Sequence, residues 1–347
     1  MTLLGFQRAS APDRERMLEL FVRLCEIESP SGRERGMADA VAAELRGLGL
    51  EVQEDESAGE TGSDAGNLLA RLPGPDGART ILLCAHLDTV PLDAPVEVVR
   101  DDGVFRNRNE AILGADNKAA VATILAAVRR LAAGGPPVGL ELLFTTCEER
   151  ALRGAKAFDR SRLRSEFGFV FDHASPIGEL IVAAPTYYRI EARFRGAAAH
   201  AGIRPEEGRN AIAAAARAVA AMRLGRLDEG RAGELVGEMV DALQAAASDA
   251  ECDLETEVER LFQGYRLPRT SASVEVAAEA LQAVGIEARP IATGGGSDAN
   301  ALVAAGLPVL NVANGTERNH QPDESVSAWA LETMLDVTLG IVAASAR

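Results

Sequence analysis

Histidine and cysteine are both scarce in this chain: each occurs four times in 347 residues. The cysteines, Cys25, Cys84, Cys147 and Cys252, are scattered without paired spacing. That excludes a disulfide-framed scaffold and suits reduced thiols in the cytoplasm. Positive charge is also short: 36 Lys plus Arg against 52 Asp plus Glu give a net charge of −16. So acidic a surface argues against nucleic acid and anionic membrane as partners. No apolar run reaches the roughly 18 residues of a membrane span. Met1–Ser10 lacks the apolar core of a signal peptide. What is present is a globular balance, 47% hydrophobic and 25% charged, in a chain long enough for one large domain and a smaller one.

The spacing of Leu18, Phe21, Val22 and Cys25 predicts a helix. Ser29-Pro30-Ser31-Gly32 breaks it, and Ser31 is the expected N-cap of a second helix running to Leu45. Ile81–Ala85 and Val138–Thr145 are apolar without alternation, as strands covered on both faces are. An alanine-rich helix is expected over Lys118–Ala133, and another strand near Phe167–Phe171. Strands alternating with helices predict an α/β layer architecture with a mostly parallel sheet. From Tyr187 the pattern changes to half-exposed strands (Tyr187–Arg195, Cys252–Arg260) and helices over Pro205–Leu224 and Gly233–Ala247. These read as an inserted α+β domain at about residues 186–290. Residues 1–185 and 291–347 then form the two parts of the main domain, which ends in a helix over Ala328–Ala343.

Five segments carry chemistry. His86 and Asp88 lie two apart at a strand end, which puts them on one face. A carboxylate there can orient a metal-ligating imidazole, although a hydrogen-bonded pair looks the same in sequence. Asp116, in Gly114-Ala-Asp-Asn-Lys118, can be a helix cap or, with two oxygens, a bridge between two metal ions. Glu148 and Glu149 follow a buried strand; adjacent carboxylates repel unless a cation lies between them, and one can ligate metal while the other acts as general base. Asp172 ends the next apolar strand, and His320 sits in a polar loop before the last helix. Three of these segments fall at consecutive strand C-termini, where open α/β sheets bind ligands. Imidazole plus carboxylate suits zinc. The Gly294-Gly-Gly run lacks the spacing of a dinucleotide fingerprint.

In order and spacing, His86-x-Asp88, Gly-Ala-Asp116-Asn-Lys, Glu148-Glu149, Asp172, Gly294-Gly-Gly-Ser-Asp298-Ala-Asn and His320 resemble the dinuclear zinc exopeptidases. That clan holds aminoacylases, glutamate carboxypeptidases and di- and tripeptidases. Ala199-His200-Ala201-Gly202 and the glycine run look most like its peptidase T (tripeptide aminopeptidase) branch. The resemblance covers nearly the whole chain. It implies a three-layer catalytic domain with a lid, and two divalent ions, zinc with manganese or cobalt as substitutes. It implies that Asp116 bridges them, with His86 and Asp172 on one ion and Glu149 and His320 on the other. It further implies Glu148 as general base, Asp88 as the orienter of His86, and His200 as a donor to the oxyanion. Gly295, Gly296, Ser297, Asn210 and Arg269 are carried as candidate substrate contacts. Arg266 and Arg269 could hold a substrate carboxylate or be plain surface cations. His173 matches no family position and reads as structural.

The implied activity is hydrolysis of a peptide bond in short peptides, aminopeptidase or tripeptidase in type. Deacylation of N-acyl amino acids is the alternative, and an inactive binding homologue a third reading. The linker Gly225–Gly233 has no room for the two inner strands usual in the family's lid. A shortened lid is therefore expected, which puts the family's homodimer in question.

Overall fold

The computed structural model describes residues 6–222 and 229–347. In chain order the strands are β1 (Val52–Glu54), β2 (Leu68–Leu72), β3 (Thr80–His86), β4 (Val98–Asp101), β5 (Val104–Asn107), β6 (Gly139–Thr145), β7 (Phe167–Val170), β8 (Glu179–Ala184), β9 (Tyr187–Arg195), β10 (Asp253–Phe262), β11 (Tyr265–Arg266), β12 (Arg289–Ala292), β13 (Val309–Val312), β14 (Thr316–Glu317) and β15 (Ser325–Ser327). The α-helices are α1 (Ala11–Cys25), α2 (Arg35–Gly47), α3 (Ala58–Thr61), α4 (Ala115–Gly134), α5 (Arg153–Ala157), α6 (Ala211–Ala221), α7 (Glu229–Asp249), α8 (Ala272–Val284), α9 (Asp298–Ala304) and α10 (Ala328–Ala344).

The chain forms two compact units. One holds the chain up to Ala184, Arg266–Thr293 and Ser297–Arg347; the other holds Pro185–Tyr265 and Gly294–Gly296. In the larger unit the central sheet runs β1-β2-β6-β3-β7-β13-β8, and β12 also pairs with β8. The pairs β3·β6, β3·β7, β7·β13 and β8·β12 are parallel, whereas β1·β2, β2·β6 and β8·β13 are antiparallel. The result is a mixed, mostly parallel α/β sheet. Every residue of β6 and β7, and all of β3 after Thr80, is buried. Such strands need cover on both faces, which is why their sequences are apolar runs rather than alternations. Helix α4 packs on β3, and α8 on β7, β8 and β13; α9 packs on β7 and β13 with α5 beside it. A second antiparallel sheet, β14-β15-β5-β4, lies in the same unit.

Local chemistry sets the helix ends. Ser10 and Asp13 form a capping box at α1, and Met17, Phe21 and Leu24 make its buried stripe. Helix α2 does not start at Ser31: its N-cap is Glu34, because the Ser31 hydroxyl is engaged by Asp88.

The smaller unit is a two-stranded antiparallel ribbon, β9·β10, with α6 and α7. Ala218, Leu243 and Ala246 form its core with Ile190, Phe194 and Leu254. Alternation along β9 follows from one covered face, as read from the sequence. The second boundary of the insertion differs from the expected 290. It falls after Tyr265, because α8 packs on α10 and β12 joins the central sheet. The linker judged too short for strands lies partly outside the described residues.

Candidate metal centre

Strand register assembles the site. His86 ends β3 opposite Thr145 of β6, and Cys84 lies opposite Val170 of β7. The next residues of those neighbours, Glu148, Glu149 and Asp172, therefore emerge beside His86 at one sheet edge. Asp116 arrives from the start of α4, where Asp116 (ψ 105) and Asn117 (φ −117) depart from helical geometry and Gly114 has φ 74. His320 comes from the loop after β14, also with positive φ, 65.

The contacts divide around Asp116. Its Oδ1 lies 3.2 Å from His86 Nε2, and its Oδ2 lies 3.3 Å from His320 Nε2. His86 Nε2 is also 3.5 Å from Asp172 Oδ1, and His320 Nε2 is 2.7 Å from Glu149 Oε1. The imidazole of His86 is oriented by Nδ1, which is 2.9 Å from the Asp88 carbonyl oxygen. Donation from Nδ1 leaves Nε2 free of a proton to bind a cation. His86, Glu148 and Asp172, and likewise His86, Asp116 and Glu149, each present ligand atoms within 4.8 Å of one another.

The chemistry of this donor set fits divalent cations. Without them the buried acids compete for protons. Burial, then the charge of Asp172, pushes Glu148 well above the usual carboxylate range. Burial and Asp116 raise Asp172 to about 7. Asp116 goes the other way: the hydrogen bonds from His320 and His86 overcome burial and hold it low. Burial would lower His86, yet Asp172, Asp116 and Asp88 raise it well above its ordinary value. His320 is raised to about 10 by Asp116 and Glu149. Protons thus stand where positive charge is needed, a task that cations take over by displacing them.

Neighbouring side chains hold these groups in place, and no role for Asn311, Asn319 or Glu324 was read from the sequence. Asp88 is fully buried, and its carboxylate does less for His86 than expected, with Oδ1 3.4 Å from Nδ1. Instead it accepts the N–H groups of Glu148 (2.9 Å) and Glu149 (3.1 Å) and the Ser31 hydroxyl (2.6 Å). Glu324 accepts the Gly114 and Asp116 N–H groups at 2.7 and 2.9 Å, fixing the turn that carries Asp116. Asn319 donates to Asp116 Oδ2 at 2.8 Å. Asn311 pairs with both the N–H and the carbonyl of Asp172. Buried Asp298 accepts the Thr145 hydroxyl, and burial raises it to about 6. Glu324 and Asn319 stand in the same short loop as His320, which is the one signal that could have flagged them.

Other candidates fall elsewhere. Ser297 is buried, and its Oγ accepts Asn311 Nδ2 at 3.1 Å. Asn210 caps α6 by accepting the Ala213 N–H at 3.0 Å, which occupies its amide oxygen. Arg266 and Arg269 are exposed. Gly295 and Gly296 belong to the smaller unit, where Gly296 packs against the Phe262 ring. His200 is exposed in that unit, and its Nδ1 accepts the Gly202 N–H at 3.2 Å. His173 is held between the hydroxyls of Ser175 and Thr293, at 2.8 and 2.9 Å.

An α/β sheet whose strand ends gather two imidazoles and several carboxylates around one shared aspartate has the layout of a metal-dependent hydrolase. The chain belongs to peptidase family M20/M25/M40, whose profile matches residues 82–344, and it is a metallopeptidase. Protein YqjE of Bacillus subtilis is 32% identical over 369 residues, covering 96% of this chain and 100% of YqjE. The aminopeptidase PepT of Bacillus cereus superposes with a TM-score of 0.87 at 30% identity, covering 96% of this chain and 99% of that one. A tripeptidase of Staphylococcus aureus gives 0.90 at 28% identity with the same coverages. No helix among the described residues is long and apolar enough to cross a membrane.

Proposed function

We propose that the chain removes the N-terminal residue of short peptides, tripeptides among them, using two divalent cations, zinc in the first instance. The observation that carries this reading is the Asp116 carboxylate, with one oxygen toward His86 and the other toward His320. His86 and Asp172 would hold one cation with Asp116; Glu149 and His320 would hold the other. When bound, the cations supply Lewis acidity and lower the pKa of water.

The residues of the chain do the rest. Glu148, buried beside His86 and Asp172, accepts the proton of the attacking water at its carboxylate. As the water oxygen bonds to the carbonyl carbon and the C–N bond breaks, Glu148 returns that proton to the departing amine. His200, whose Nδ1 accepts a hydrogen bond, carries its proton on Nε2 and is our choice for the oxyanion donor. The similarity to PepT and the tripeptidase supports the peptide class. We also read the inserted unit as a shortened lid, with two strands among its described residues. Sedimentation at micromolar concentration tests whether it still pairs two copies.

A metal-reconstituted panel of tripeptides against N-acetyl and N-succinyl amino acids tests the substrate class. Turnover of tripeptides is expected. Turnover confined to the N-acyl compounds would replace the peptidase reading with deacylation.

A further inference from the structure

Three consecutive backbone N–H groups at the exit of β6 each meet a buried carboxylate oxygen. Those of Glu148 and Glu149 go to Asp88, as described. The one before them, of Cys147, goes to Glu34 Oε1 at 3.0 Å. Glu34 is the residue ahead of α2 and is fully buried. Its Oε1 also takes the Cys147 thiol at 3.3 Å, and its Oε2 takes the Ser63 hydroxyl at 2.6 Å. It ligates no cation in the proposed site.

This grip falls where the backbone needs it. Cys147 has φ 50, a left-handed conformation that residues with a β-carbon keep only where their surroundings hold them in it. The turn also lets two adjacent side chains serve different partners. Glu148 groups with His86 and Asp172, whereas Glu149 groups with His86 and Asp116 and touches His320. Were the turn to relax toward an extended or right-handed form, both carboxylates would be re-aimed together.

We propose that Glu34 is a positioning residue for the proton-carrying Glu148, acting through the Cys147 N–H and completing with Asp88 a frame that grips three successive amides. The proposal rests on the reading of Glu148 as general base. Loosening the frame misplaces Glu148 without removing any group that binds ground-state peptide. The effect therefore falls on kcat rather than KM, and displacements near 1 Å cost about 100-fold. Gln at position 34 keeps an oxygen for the Cys147 N–H, and the Ser63 hydroxyl can turn to accept from its amide nitrogen.

The test uses the full chain loaded with zinc and compares wild type, Glu34→Ala, Glu34→Gln and Glu148→Gln on a tripeptide. Metal content is measured on each. Glu34→Ala is expected to lose about 30- to 100-fold in kcat, with KM within about threefold and metal content unchanged. Glu34→Gln is expected to recover to within about fivefold of wild type. A metal-replete Glu34→Ala within about twofold of wild-type kcat overturns the proposal. So does a Glu34→Gln variant as impaired as Glu34→Ala. Should Glu34→Ala fail to fold, Ser63→Ala removes the hydroxyl that donates to Glu34 and also accepts the Ala65 N–H at 3.0 Å; a kcat loss of about 3- to 10-fold at unchanged metal content supports the proposal and no loss overturns it. An active Glu148→Gln would sink the underlying reading. An inactive Glu148→Gln beside a fully active Glu34→Ala would sink this inference alone.

Discussion

Replacing Asp88 by Asn tests whether its carboxylate serves the Glu148–Glu149 backbone. Asp88 offers Oδ1 to the Glu148 N–H and Oδ2 to the Glu149 N–H and the Ser31 hydroxyl. An asparagine has one oxygen. Whichever way its amide faces, one backbone N–H meets an NH2 group, donor against donor, in a site closed to water. A lost hydrogen bond to a charged group is worth about 1.5–3 kcal/mol, and a buried donor left unpaired costs about 1–3 kcal/mol. Removing one negative charge from a crowd of acids offsets part of this, so a net loss of about 2–4 kcal/mol is expected. Urea unfolding with a chelator present, compared at constant m-value, measures it without cation linkage. The zinc-loaded variant should also lose about 100-fold in kcat, because both glutamates shift. Stability within about 0.5 kcal/mol of wild type, with kcat within about twofold, would refute the argument.

Three further outcomes follow. Cation uptake should release more than two protons per chain at pH 7, since His86 and His320 are raised and protonated without metal, Asp172 is raised to about 7, and each must give up its proton to ligate. Affinity should therefore climb with pH toward about 10, where His320 titrates; calorimetry in buffers of different ionisation enthalpy checks this, and a heat independent of buffer contradicts it. Gly154→Ala should destabilise by about 1–3 kcal/mol and slow turnover, because a methyl group there overlaps the Thr146 carbonyl and the Asn67 side chain just ahead of Glu148; an unchanged urea midpoint would count against it. His200→Ala should lower kcat by about 100-fold while leaving zinc content unchanged, if it is the oxyanion donor; an unchanged kcat removes it from the mechanism.

Of the proposed metal-binding residues, His86, Glu149 and Asp172 were legible as short motifs following strands that a parallel sheet brings together. Asp116, at the start of α4, and His320, in the loop after β14, were grouped with them through the family resemblance. The residues that hold them in place were not legible in the same way. Glu34 meets Cys147 across 113 positions, and the contact exists only once α2 and the end of β6 are folded. Ser31 had every local mark of an N-cap, but a buried carboxylate accepted its hydroxyl first. The domain boundary was misplaced for a related reason. Helix α8 (Ala272–Val284) precedes the strand signals that mark the return to the main sheet, and nothing in its own residues says that it packs on α10 and the central sheet. Local pattern identifies an element; only long-range contacts say to which layer it belongs.

The central claim is that Glu148 moves the proton while the cations are held by other residues. The most direct measurement is Glu148→Gln, zinc-loaded, assayed for tripeptide hydrolysis beside its zinc content. The account predicts about two ions per chain as in wild type and turnover lower by about 100- to 10,000-fold, the span that general acid–base catalysis contributes. Turnover near wild type at full zinc content would contradict it.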